Sequence, residues 1–360
     1  MSEQVEESNW SELPSELIHL IVKKLPDLVD FIRLCAVCTT WRSSAPLSDP
    51  PHQFPWLLEL FKRGDYFYIV RKRQRFYSLT TGETLTIPLR NKKPKLRTFV
   101  DGGIYSGYLP FHDYSKRTLS LFNPLTRDLF SPPPMKNGYL VPWMVLTGAD
   151  PIRNRTIVDV DRDLDIINEI GGWAFYDPHC KKWIEKWGYL YHCCYWQGMF
   201  FSTRVHEPTQ VFDAHSRELL HEIPPPEIES RENWYDIGKE LRKSYLVVSS
   251  GVILRVVWHH DYLHEQAIEE SVFYIYRLDF ERAENKSRWV QIYHLGDQIL
   301  FLCEMNGFSM TARPNCGFSK GCIYFIDPRK HKPYMYDVLA GTVERVPCPF
   351  EKCTWFLPGL

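Results

Sequence analysis

No apolar run in this 360-residue chain approaches the roughly 18 residues of a membrane-spanning helix, so neither a span nor a membrane partner is expected. The opening Met1-Ser2-Glu3-Gln4-Val5-Glu6-Glu7 lacks the basic and apolar regions of a secretory or transit leader, which leads to an expectation of nucleus, cytoplasm or both. In such a reducing compartment the 10 cysteines read as small buried apolar residues, not disulfides. Net charge is nearly absent at −1, which argues against a dedicated nucleic-acid binder. Catalytic signatures are missing too. There is no Gly-x-Ser-x-Gly elbow and no phosphate-binding Gly-x-x-x-x-Gly-Lys loop, and Gly102-Gly103 with Gly107 fail the dinucleotide pattern. No catalytic residue, cofactor or enzyme activity is therefore assigned. Metal-ligand sets are equally thin: Cys35-Ala36-Val37-Cys38 has zinc or redox spacing but no second pair, and neither His259, His260, His264 and Glu265 nor His192, Cys193 and Cys194 match a ligand pattern.

What is present begins with helices. Pro14 suits a first helical position, Glu16 places negative charge in the first turn, and Leu17, Ile18, Ile21 and Leu25 recur at helical spacing until Pro26 stops the run. Asp27 can cap a second helix, and Phe31, Leu34, Cys35, Cys38 and Trp41 continue an apolar stripe up to Pro46. A segment below about 40 residues rarely builds its own core. Burying about eight such side chains at roughly 1.5 to 3 kcal/mol each yields on the order of 10 to 20 kcal/mol, more than the several kcal/mol that association costs. The segment is therefore expected to become fully ordered only in the socket of another polypeptide.

At Leu13, Pro14, Leu17, Ile18, Ile21, Leu25, Leu34, Val37, Cys38 and Trp41 this segment resembles the F-box. The resemblance implies that these residues contact a Skp-type adaptor and, through it, a cullin and a RING protein. An ordinary amphipathic hairpin folded back on its own chain is the alternative reading. The expected organisation is a disordered acidic tail over 1–9, the F-box over 10–46, a stiff proline-rich spacer over 47–60 and a large β domain over 61–360.

Charge is unevenly spread. Residues 1–30 hold two Lys against seven acids, whereas residues 62–97 hold eleven Lys or Arg against two. Within the basic stretch Lys92, Lys93, Lys95 and Arg97 resemble a nuclear import signal, with a solvated hairpin rim as the equal alternative. Direct nucleic-acid binding ranks lower, since no aromatic-basic module accompanies the run.

After the prolines the texture turns to short β-rich runs such as Tyr66–Val70, Thr118–Phe122, Met199–Thr203, Tyr245–Val257 and Cys322–Ile326, and aromatics make up 15% of the chain. A weak repeat lies within it, an apolar strand ending in an aromatic followed by a polar turn. Its copies are Phe122-Asn123-Pro124-Leu125-Thr126-Arg127, Tyr176-Asp177-Pro178-His179-Cys180-Lys181, Phe212-Asp213-Ala214-His215-Ser216-Arg217 and Tyr336-Asp337-Val338-Leu339-Ala340-Gly341, with Tyr77-Ser78-Leu79-Thr80-Thr81-Gly82 a looser one. Steps of 45, 54 and 36 residues between the turns starting at Ser78, Asn123, Asp177 and Asp213 lie near the length of a propeller blade. The expected fold is thus a small all-α module followed by a large all-β domain of β-propeller type, with a pair of β-sandwiches as the alternative. In the aromatic stretch from Trp183 to Phe201, Trp183, Trp187 and Trp196 are candidate target contacts, or simply β core.

Near the C-terminus, Leu295-Gly296-Asp297, Phe308-Ser309-Met310-Thr311-Ala312 and Cys322-Ile323-Tyr324-Phe325-Ile326-Asp327 resemble a plant F-box family with a KIB-type, kelch-like propeller. Gly321 departs from that pattern, which has Asn there. The resemblance implies a non-catalytic substrate-recognition subunit of a Skp-cullin-F-box ubiquitin ligase that binds an unknown protein target and promotes its ubiquitination and proteasomal degradation. A scaffold or nuclear regulator acting outside a ligase is the alternative, and an enzyme built from scattered propeller-channel residues ranks third.

Overall fold

The chain is described from a computed structural model, which covers residues 10–25, 27–45, 50–51, 53–63, 66–68, 73–88, 107–113, 118–134, 143–147, 156–160, 172–177, 181–187, 192–214, 216, 218–226, 240–261, 267–281, 286–303, 307–314 and 316–359. The tail over 1–9 lies outside them. Three helices come first: α1 (Ser15–Lys24), α2 (Leu28–Cys35) and α3 (Thr39–Ser44). Pro14 sits one position earlier than expected, as the α1 cap, with its extended backbone (ψ 141°) turning its carbonyl to accept from the amides of Leu17 and Ile18. Asp27 caps α2 by accepting from the Val29 amide at 2.9 Å.

The remaining described residues form six sheets of three to five strands and a two-stranded ribbon. The first sheet is Cys353–Phe356, Trp56–Glu59, Arg73–Ser78 and Thr84–Pro88; the second holds Leu109–Asp113, Thr118–Phe122 and Leu129–Phe130. The third runs from Trp143–Thr147 to Lys182–Trp187, the fourth from His192–Trp196 to Leu219–Ile223, and the fifth from Glu240–Ser249 to Arg288–Ile292. The sixth contains Gln298–Leu302, Gly307–Thr311, Cys322–Ile326, Pro333–Asp337 and Thr342–Arg345, and joins Gln298–Leu302 to Cys322–Ile326 in parallel.

Two features make this a propeller. The C-terminal strand pairs with the first β strand, Trp56 opposite Phe356 and Glu59 opposite Cys353, so the two ends of the β domain close on each other. In addition, strand residues feed the cores on both sides alternately, following the period of two. Leu246 joins the cluster shared with the fourth sheet while Val247 joins that shared with the sixth; Phe301 packs with Leu57 and Trp355 while Leu300 and Leu302 pack with Val256 and Ile275. A sandwich sheet would offer one face to water, whereas here both faces of the inner strands are buried, as in Met199–Thr203 and Gln298–Leu302.

Backbone hydrogen bonding explains the repeat. In each well-described copy the leading residue's side chain accepts from amides two or three positions on: Asn123 Oδ1 from Leu125 and Thr126, Asp337 Oδ1 from Leu339 and Ala340, Asp213 Oδ1 from Ser216. The amide four positions on donates back to its carbonyl in the Ser78, Asn123 and Asp337 turns, with Gly82, Arg127 and Gly341 at positive φ. These are Asx turns, with the Ser78 turn the serine equivalent, that reverse the chain between strands. Asp327-Pro328-Arg329-Lys330-His331 is a further copy that the sequence reading missed, closing with His331 at φ 50° and its amide on the Asp327 carbonyl.

Two boundaries need correction. The spacer over 47–60 ends before Trp56, because Trp56–Glu59 is a strand whose Trp56, Leu57 and Leu58 are buried between the closing strand and Arg73–Ser78. The apolar run Tyr245–Val257 is two strands, broken by Ser250 and Gly251 at φ 47° and 80°, the pair of positive values that a tight hairpin turn requires.

Candidate docking surface

The helical module has two apolar faces. Ile18 and Val22 of α1 and Leu28, Phe31, Leu34 and Cys35 of α2 are buried in one cluster with Ala45, and that cluster also contains Trp56, Leu58, Phe76, Leu109 and Phe356 of the β domain. The expectation that this segment orders only inside a partner is therefore corrected: its inner face is sheathed by its own chain. Leu13, Leu25 and Trp41 pack at the margin of the same cluster.

An outer face stays bare. Leu17 is 46% exposed, Leu20 57%, Ile21 37%, Ile32 40% and Val37 59%, with Trp10 at 64% and Pro14 exposed beside them. Leu17, Ile18, Ile21 and Leu25, read from spacing as one face, separate into Ile18, Val22 and Leu25 facing inward and Leu17, Leu20 and Ile21 facing outward. Both stripes follow three- and four-residue steps, which is why periodicity alone merged them. Trp10, Leu20 and Ile32 went unnoticed; the pairing of Leu20 with Leu17 at three-residue spacing was the available signal.

Polar contacts hold this face rigid. Asp27, buried beneath it, accepts from Trp56 Nε1 at 3.1 Å and from Ser78 Oγ in addition to the Val29 amide, so one carboxylate caps α2 and ties it to two strands of the first sheet. Outside, Arg33 bridges Asp30 at 3.0 Å and Glu83 of the first sheet's hairpin at 3.1 Å, and those two acceptors, Asp30 first, raise its guanidinium pKa further. This pair is exposed and contributes little to stability. Trp41 Nε1 donates to the Trp10 carbonyl at 2.9 Å, Cys38 Sγ caps α3 by accepting from the Trp41 amide, and Arg42 Nε donates to the Cys35 carbonyl. Burial pushes the Cys35 thiol up, partly opposed by Arg42. Cys35 and Cys38 thus serve packing and capping.

Other candidates fall elsewhere. Lys92, Lys93, Lys95 and Arg97 lie outside the described residues, as do His264 and Glu265. Trp183 and Trp187 stand opposite Tyr176 and Gly172 in the third sheet, and their side chains lie outside the description. Trp196 is half-buried; its Nε1 donates to the Gly251 carbonyl at 3.0 Å and its ring meets Phe201 and Phe280 edge-on, so its indole N–H is engaged within the domain. His192 is packed on Tyr245, and burial pushes the Cys193 thiol up to about 12. Among the described residues no group of three or more His, Cys, Asp or Glu could hold a metal ion, and no helix is long and apolar enough to cross a membrane.

Comparison with known proteins covers both modules. Residues 10–48 match the F-box-like family and residues 76–338 the KIB1-4 β-propeller family. The F-box/kelch-repeat protein At1g64840 of Arabidopsis thaliana is 24% identical over 93% of this chain and 89% of its own length. The F-box protein At2g17036 of the same organism is 24% identical over 88% of this chain and 83% of its own. With an F-box-like module fused through a shared core to a series of mostly antiparallel sheets, the chain belongs to the KIB1-4 β-propeller family of F-box proteins.

Proposed function

We propose that this protein is the substrate-recognition subunit of a Skp-cullin-F-box ubiquitin ligase. The outer face of α1 and α2 holds a Skp-type adaptor, the propeller presents a protein target, and a ubiquitin-charged enzyme recruited elsewhere in the assembly carries out the chemistry. The chain's contribution to rate is proximity, not a catalytic side chain. One observation carries this reading: five large apolar residues of α1, α2 and the turn after it, Leu17, Leu20, Ile21, Ile32 and Val37, remain exposed although the module has a well-packed inner face. Single exposed apolar residues need no explanation, but three on one stripe of α1, Leu17, Leu20 and Ile21, with Ile32 and Val37 also bare in a module whose other face is packed, support a protein interface here. Its location within the F-box-like match supports a Skp-type adaptor as the occupant.

Pro14, exposed, caps α1, and Leu13 before it packs at the margin of the inner cluster. Changing both to Ala is expected to abolish co-purification with a Skp-type adaptor while far-UV circular dichroism of the β domain is unchanged. Undiminished capture of the adaptor would count against the reading. The lifetime of captured targets then separates a ligase receptor from a scaffold, because a scaffold leaves it unaltered.

A further inference from the structure

Residues 346–352 join the last strand of the sixth sheet to Cys353–Phe356, the strand that closes the ring. Cys348 lies in this loop between Pro347 and Pro349, half-buried, at a cleft of about 290 Å³ that Lys332 and Arg345 also line. Its Sγ is 3.6 Å from Cys353 Sγ and accepts from the Phe350 amide at 3.4 Å. Lys332 Nζ donates to the Phe350 carbonyl at 2.6 Å, which fixes an ammonium group beside the loop. Cys353 is wholly buried, with its amide and its thiol both directed at the His331 carbonyl.

We propose that Cys348 and Cys353 form an oxidisable dithiol site whose substrate is a small hydroperoxide, with Cys348 the attacking sulfur and Cys353 the resolving one. The electrostatics agree with these roles. The contact with Cys353, helped by the Phe350 amide and Lys332, outweighs burial and Glu59 and lowers the Cys348 thiol, whereas the same contact and burial push the Cys353 thiol up. A thiolate that is accessible and beside a resolving thiol is the arrangement in which oxidation is selective and reversible. The Cys348 thiolate attacks one peroxide oxygen, the O–O bond breaks, and hydroxide leaves and takes a proton to become water. The resulting sulfenic acid loses its hydroxyl as a second water when Cys353 gives up its proton and its sulfur forms the S–S bond. Two thiols lose two electrons and two protons, which the peroxide receives. The sulfurs, now 3.6 Å apart, close to about 2.05 Å in the bond. The product staples the loop to the closing strand three residues before Phe356, which packs in the cluster that supports α1 and α2.

Peptide mapping of the reduced full chain tests this. After brief exposure to hydrogen peroxide, alkylation and trypsin cleavage at Arg345 and Lys352, peptides 346–352 and 353–360 are expected joined, two hydrogens lighter than their sum, with Cys193 and Cys194 still alkylated on denaturation. Before oxidation, Cys348 should react with iodoacetamide at least about tenfold faster than Cys193. Cys353→Ser should accumulate a sulfenic acid at Cys348 that dimedone traps, and Cys348→Ser should leave Cys353 unoxidised. Absence of the joined pair in the wild-type chain, or oxidation of Cys353 in Cys348→Ser, would overturn the proposal. Those two measurements decide the matter even where the buried Cys353→Ser chain fails to fold.

Discussion

Replacing Leu17, Ile21 and Val37 together by Ala is expected to weaken binding of a Skp-type adaptor at least about 100-fold, the equivalent of about 2.7 kcal/mol, while leaving the chain's own unfolding nearly unchanged. The three side chains are 46%, 37% and 59% exposed and take no part in the buried cluster, so truncating them removes little native packing. Surface replacements of this kind usually stay within about 0.5 kcal/mol each. Ile18 lies one residue from Leu17 and is fully buried; Ile18→Ala should lower stability by about 2 to 5 kcal/mol through lost transfer energy and the cavity left behind. Isothermal titration with the adaptor and urea denaturation, run on both variants, separate the two faces. If Leu17, Ile21 and Val37 contributed to folding and not to binding, the effects would be reversed.

Asp27→Ala should reduce unfolding free energy by at least about 3 kcal/mol, since loss of a helix cap accounts for about 1 and each of the two buried donors left without an acceptor for about 1 or more. The Val29 amide, Trp56 Nε1 and Ser78 Oγ all lose their partner. Because two of these donors belong to the first sheet, the damage falls on the joint between helices and propeller, and the adaptor should bind the variant more weakly although no adaptor contact has changed. Ser78→Ala removes one donor and leaves the carboxylate with the other two, so its effect should be distinctly smaller. Urea denaturation followed by tryptophan fluorescence checks this, with Trp56 a reporter at the joint. Equal stability of Asp27→Ala and the unaltered chain would remove Asp27 from its assigned role.

Local signals were legible in the sequence. Helix starts and stops, the capping Asp27 and the polar turns at Asn123, Asp213 and Asp337 follow from short-range preferences that need no tertiary information. Long-range facts were not. Nothing local announces that Trp56 pairs with Phe356 across the whole β domain, so the prolines before it make Trp56–Glu59 look like spacer. The two stripes of α1 looked like one because a ten-residue helix offers few turns in which to tell neighbouring stripes apart. Asp27 signalled its cap but not its clamp, because Ser78 lies in a different module. Glycine does not mark these turns consistently: the positive-φ position is Gly82 and Gly341 in two of them but Arg127, Lys181 and His331 in the Asn123, Asp177 and Asp327 turns.

Native-state hydrogen exchange of the full chain without any adaptor tests directly whether the helical module is part of the folded chain. Amides of Val22 and Leu34, in the interior of α1 and α2, should be protected to nearly the same free energy as those of Leu57 and Leu58 in the adjoining strand, since all four residues lie in buried cores that meet at the first sheet. Exchange of Val22 and Leu34 at rates typical of unfolded chain, with protection appearing only once the adaptor is added, would contradict that picture.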